Sequence, residues 1–176
     1  MKLFKIYLLL FAIVLAFVGI SRFFNPKYEV RENIVVEKPL HEVFVYLTDL
    51  PKWEQWSLWN TDADSTLVFF YNKQQGTKGA RQYFSGELVG KGFIEITTCI
   101  PDTAFAYRMY MREGELTASG VFSLRAIDSM QTEISWSDTG NVGNNPLKRY
   151  LIPMVTKNTA ASFAQGLTRI KQQLER

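Results

Sequence analysis

Residues 103–139 read TAFAYRMYMREGELTASGVFSLRAIDSMQTEISWSDT, and the alternation inside this stretch decides the fold. Phe105, Tyr107, Met109 and Met111 alternate with Ala104, Ala106, Arg108, Tyr110 and Arg112. Leu116, Ala118, Phe122 and Leu124 alternate with Thr117, Ser119, Ser123 and Arg125, and Ile134 and Trp136 oppose Glu133, Ser135 and Ser137. Successive strand side chains point to opposite faces, so a period of two predicts three strands with one apolar and one wet face. Glu113-Gly114 and Asp128-Ser129 supply turns between them. This is the pattern of an antiparallel sheet covered on one side only.

The cover is expected from the end of the chain. Residues 141–145 form a Gly/Asn-rich loop, and Pro153 is placed to kink or start a helix. Beyond it Phe163, Leu167, Ile170 and Leu174 recur at helical spacing, with Thr168, Arg169, Lys171 and Gln172 on the other side. The spacing predicts an amphipathic helix from about Met154 to the end, about 30 Å long. Toward the N-terminus, alternation predicts further strands over 28–37, 66–71, 78–87 and 89–100. Pro39 starts a short helix in LHEVFVYL, and a second short helix is predicted in LPKWEQWS after Asp49. The fold class is therefore α+β: about seven antiparallel strands in a curved sheet around a long C-terminal helix.

The first residues are different in kind. From Ile6 to Ile20 the chain reads IYLLLFAIVLAFVGI without a charge, between Lys2 and Lys5 before it and Arg22 after it. With the apolar flanks, 3–24 approaches the roughly 20 residues that cross a bilayer as a helix. A cleaved signal peptide has a similar start, but 17–22 offers no clear small-x-small site and no lipobox cysteine. We read an uncleaved anchor and linker over 1–26 and one soluble domain over 27–176. Lys2, Lys5 and the terminal amine favour a cytoplasmic N-terminus, with Arg22 and Lys27 opposing. The expected location is a bacterial-type inner membrane, single-pass, with the C-terminal domain outside the cytoplasm.

Composition removes many functions. The hydrophobic share of 47% and aromatic share of 14% suit a packed core. A net charge of +3 without a Lys/Arg run gives no reason to expect nucleic acid. One cysteine, Cys99, allows no intrachain disulfide or cysteine-based zinc site, and one histidine, His41, removes His-His metal sites. No P-loop, dinucleotide fingerprint or EF-hand loop is present, and no cofactor or metal is expected.

The order strand, two short helices, six strands, long helix resembles the helix-grip fold of the START-like (SRPBCC) superfamily, the polyketide cyclase/dehydrase and lipid transport type. VEKPLHEVFVYLTDLPKWEQWSLW is similar to its first strand, proline-started helix and tryptophan-bearing segment. GARQYFSGELVGKGFIEIT resembles an internal hairpin, TEISWSDTG the last strand, and SFAQGLTRIKQQLE the end of the closing helix. The resemblance spans about Tyr28 to Arg176 and speaks for fold. It implies little about function, because the superfamily holds lipid and hormone binders, cyclases and hydrolase-like members.

Candidate site residues follow from the apolar face. Trp56 and Trp59, with Trp53, make an aromatic cluster that suits a cavity mouth or the packing of short helices onto the sheet. Tyr107, Met109, Phe122, Leu124, Ile134 and Trp136 face the closing helix and either line a ligand cavity or fill a core, since both want the same residues. Small residues at Ala118, Gly120, Ala160, Ala161 and Ala164 leave room and tilt the reading toward a cavity. Asp138 and Tyr107 are the inward polar groups that could serve acid–base chemistry. Glu95, Arg108, Arg125 and Glu133 read as surface ion pairs, His41 as solvated and Cys99 as a structural thiol. The expected function is a membrane-tethered module binding a hydrophobic small molecule or lipid. A cyclase- or dehydratase-type enzyme in the same cavity and an interaction domain with a filled core are the alternatives.

Overall fold

The structure is a computed structural model and describes residues 2–57, 60–111 and 115–176. Three α-helices, α1 (Lys2–Ser21), α2 (Leu40–Thr48) and α3 (Pro146–Leu174), accompany a 3₁₀ helix (Leu50–Gln55) and seven strands. The strands are β1 (Lys27–Val36), β2 (Val68–Tyr71), β3 (Arg81–Gly86), β4 (Gly90–Ile100), β5 (Ala104–Met111), β6 (Glu115–Ala126) and β7 (Thr132–Asn141). They form one antiparallel sheet in the order β1-β7-β6-β5-β4-β3-β2, so β2 to β7 meander and the first strand closes beside the last. This is the helix-grip α+β fold expected.

The chain divides into two compact units. One joins the residues up to Val30 with Thr139–Thr159; the other joins Arg31–Asp138 with Ala160–Arg176. In the larger unit, Phe105, Tyr107, Met109, Phe122, Leu124, Ile134 and Trp136 are all buried, as their alternation predicts. Phe163, Leu167, Ile170 and Leu174 of α3 are buried too. On the outer face Arg125 pairs with Glu133 at 2.8 Å, and Glu95 pairs with Arg81 at 3.2 Å although Arg108 lies opposite it in register. His41 is exposed and its Nδ1 lies 2.9 Å from Asp102.

In the smaller unit α3 begins at Pro146, earlier than the expected start at Met154, and Pro153 sits inside the helix. The reason is an N-terminal cap. Asn145 Oδ1 accepts the Lys148 N–H at 3.1 Å, and Pro146 follows, at a position where a missing N–H loses nothing. The α1 segment Leu3–Ser21 is 19 residues long and apolar enough to cross a membrane by length and composition. Its end is fixed within this unit: Arg149 Nη1 donates to the Ser21 carbonyl at 3.2 Å, and Tyr150 Oη donates to the Phe17 carbonyl at 2.9 Å.

A carboxylate organises the β2–β4 end of the sheet. Asp64, 2% exposed, accepts the Thr66 N–H and hydroxyl on Oδ1 and the Leu88 and Val89 N–H groups on Oδ2. The Thr66 hydroxyl, then the Val89 amide, hold its carboxyl down at about 2. A depressed carboxylate stabilises the fold fully above its unfolded value of about 3.9, and that contribution is lost as pH falls toward about 2. Asn cannot replace it, because one side of an amide donates and would face N–H groups. We expect Asp64→Asn to lower the urea midpoint at pH 7, with the difference from wild type narrowing between about pH 4 and pH 2. Equal midpoints at neutral pH would refute the role.

Candidate ligand site

The interior of the larger unit is built from rings. Phe105 on β5, Phe122 on β6 and Trp136 on β7 are direct register partners across three strands. Their rings stack at 4.9 Å and 15° between Phe105 and Phe122, and at 4.7 Å and 25° between Phe122 and Trp136. Phe163 of α3 continues the stack, 4.1 Å and 11° from Trp136. The 3₁₀ helix adds Trp53, whose Nε1 donates to the Leu47 carbonyl at 2.8 Å, and the residue that ends it, Trp56, lies edge-on to Trp136 at 5.7 Å. Both indoles, one within the helix and one at its C-terminal cap, are buried in the same interior.

Two glycines make this packing possible. A Cβ on Gly166 would lie 2.7 Å from Trp136, and one on Gly120 would lie 2.6 Å from the Tyr107 ring and hydroxyl. Tyr107 therefore lies over the bare backbone of its cross-strand partner Gly120, where a side chain would collide with it.

Beside the stack a cavity of about 170 Å³ remains. Trp53, Trp56, Tyr107, Met109, Trp136 and Phe163 form most of its wall, with Ile94, Ala118, Gly166, Ser57 and Ser162 completing it. Of the residues singled out from the sequence, Trp56, Tyr107, Met109 and Trp136 line this cavity. Phe122, Leu124 and Ile134 are buried in the surrounding core, and Trp59 lies outside the described residues. Trp53, named with the tryptophan cluster, and Ala118, named as leaving room, line it as well, while Ser57, Ile94, Ser162, Phe163 and Gly166 complete the wall without having been singled out as ligand contacts. Trp53 and Phe163 carried the signal, as apolar residues on correctly placed helices. Gly166 carried none, since its role is to be absent.

The cavity's polar groups are few. Tyr107 Oη accepts the Trp136 Nε1–H at 3.1 Å. Burial, opposed by that bond and reinforced by the Asp138 charge, holds the Tyr107 hydroxyl well above the ordinary phenol value. It is thus neutral at physiological pH, a hydrogen-bonding group and not a base. Asp138 is half-buried, accepts the Ser119 hydroxyl at 2.9 Å, and is not part of the cavity wall. Trp56 Nε1 is buried without a hydrogen-bond partner among the described residues. Cys99 is half-buried, and desolvation raises its thiol, the opposite of nucleophile activation. No group of three or more His, Cys, Asp or Glu suited to a metal occurs among the described residues.

No family model and no curated protein matches the chain. Solved structures do share its fold. The Aha1 dimer from Colwellia psychrerythraea superposes with a TM-score of 0.58 at 15% identity, covering 84% of this chain and 96% of that one. The di-domain ARO/CYC BexL from the BE-7585A biosynthetic pathway gives 0.58 at 14%, and DynU16 from the dynemicin biosynthetic locus gives 0.56 at 18%. Each is covered over 84% of this chain, which spans about half of their own length (46% and 47%). These identities show a common helix-grip fold, with function to be argued from the site.

Because the wall depends on missing side chains, Gly166→Ala and Gly120→Ala should each destabilise the domain by about 1–3 kcal/mol through overpacking. Chemical denaturation gives the stability, and near-UV circular dichroism should show the tryptophan signal altered. Unchanged stability and spectrum in both variants would show that the rings are not confined as described.

Proposed function

We propose that the chain is a membrane-tethered binding module that holds a small apolar molecule between sheet and closing helix. The observation that carries this reading is the aromatic-walled cavity beside Trp136. Its volume narrows the guest. About 170 Å³ is near the size of an engineered cavity that admits benzene, about 150 Å³, and below the roughly 300–1,000 Å³ of sites for drug-sized ligands. A single ring with short substituents fits it; a lipid acyl chain does not, unless the rings move apart. An acceptor atom on the guest would give Trp56 Nε1 the partner it lacks among the described residues, and an unmade buried hydrogen bond costs about 1–3 kcal/mol. The tether is α1, with Lys2 and Lys5 on the cytoplasmic side and the domain outside. The anchoring of Ser21 and Phe17 by Arg149 and Tyr150 supports an α1 retained with the folded protein. The enzyme reading has less support, because Tyr107 is held neutral and Asp138 lies outside the cavity wall.

The test is ¹⁹F NMR of 4-fluorophenol with the full chain in lipid nanodiscs. Ala118→Leu in identical discs fills the cavity and corrects for partition into lipid. Line broadening with wild type that disappears in Ala118→Leu is expected, and palmitate should not compete. Equal broadening by both proteins would remove the cavity as the binding site.

A further inference from the structure

The first part of α3 presents an apolar face that stays largely exposed among the described residues. Leu147, Leu151, Met154 and Val155 are between 40% and 59% exposed, although they follow the i, i+4, i+7, i+8 spacing of one helical face. At 3.6 residues per turn these four side chains span an arc of about 100°, with Lys148 at one margin and Lys157 at the other. Arg149 and Thr156 occupy the opposite side, where Arg149 is 7% exposed and bonded to the carbonyls of Ser21 and Gly143 and to Asn144. The polar side of this helix thus faces protein and the apolar side faces outward, the reverse of a helix packed on a core.

What lies against that face is indicated by two further features of the same unit. The first is α1, clamped to this stretch of α3. Tyr150 stacks on Phe17 at 4.5 Å, meets Phe24 at 4.9 Å and donates to the Phe17 carbonyl. The second is charge. The residues up to Val30 and Thr139–Thr159 contain seven Lys and Arg (Lys2, Lys5, Arg22, Lys27, Lys148, Arg149, Lys157) against one acid, Glu29. With Lys2 and Lys5 at the far end of α1, the part of the unit on the α3 side carries the other five against Glu29, or +4, while the residues outside the unit sum to −3. An apolar arc bordered by lysines, on a strongly cationic unit, is the build of a helix lying in a membrane interface.

We propose that the first part of α3 lies in the headgroup layer of an anionic bilayer, with Leu147, Leu151, Met154 and Val155 against the acyl chains. Lys148 and Lys157 then extend their stems over the apolar layer and their ammonium groups among lipid phosphates. Tyr150 takes the place of an interfacial aromatic at the level where α1 leaves the membrane. This rests on the reading of α1 as a membrane span and is independent of what the cavity holds.

The test uses the full chain with Cys99→Ser, spin-labelled at Leu151→Cys, Met154→Cys or Thr156→Cys, in phosphatidylcholine/phosphatidylglycerol vesicles. Collision rates with oxygen, which concentrates in lipid, and with a water-soluble nickel chelate are compared. We expect oxygen to dominate several-fold at 151 and 154 but not at 156, and Lys148→Gln/Lys157→Gln to reduce this contrast. If carbonate washing leaves the protein in the vesicles while 151 and 154 collide freely with the nickel chelate, the interfacial helix is wrong and the tether stands. Shielding of both positions from both reagents would mean a protein cover, a second copy included, and would also overturn it. Removal of the protein by carbonate would overturn tether and interfacial helix together.

Discussion

The stack Phe105–Phe122–Trp136–Phe163 is the constraint on which the rest of the larger unit depends. Three of its rings are register partners on consecutive strands, so a slip of one residue in either pairing would turn a ring to solvent. The fourth comes from α3 and lies closest, 4.1 Å from Trp136. One column of aromatic contacts therefore sets strand register and seats the closing helix on the sheet. It also explains why Gly166 stands where it does: a Trp136 pressed against α3 requires a helix surface without a side chain there.

The same column decides how much ligand space the fold retains. The helix-grip architecture leaves a volume between sheet and helix, and large rings consume most of it here. The interior lies between the two readings the residues allowed, neither a filled core nor a spacious cavity. In the binding role proposed for it, a small cavity walled by indole and phenol rings would discriminate by size, because enlarging it would separate rings whose contacts hold the fold. Trp136 belongs to both the stack and the cavity wall, so the size of the cavity and the packing of the fold are coupled through it.

Parity along the strands was enough to place Phe105, Tyr107, Phe122 and Trp136 on the inner face, since a period of two has a single geometric meaning. Helical spacing placed Phe163 opposite them. The size of the cavity was not legible, because it depends on ring angles and on Gly120 and Gly166, which register in a sequence only as absent side chains. The start of α3 is hidden for another reason: Asn145 closes the Gly/Asn-rich stretch 141–145, which reads as loop, yet it caps the first turn of the helix. Pro153 drew the boundary instead, although a helix held at both ends tolerates the loss of one N–H bond. Asp64 was silent because a carboxylate that caps loop amides has the same local sequence as one in solvent.

Arg149 shows how a residue that reads as surface charge can organise a unit. Within AsnAsnProLeuLysArgTyr, residues 144–150, nothing distinguishes it from Lys148. In the fold its guanidinium reaches three oxygen acceptors, two of them backbone carbonyls, which a planar fork can do and a lysine ammonium on a thinner stem cannot reproduce. One of those carbonyls belongs to Ser21 at the last turn of α1, where it also accepts the Phe24 N–H at 3.3 Å. The positive charge also complements the negative end of the α1 dipole. A buried cation at that point joins the end of the apolar helix to the first part of α3 in a single contact within one compact unit.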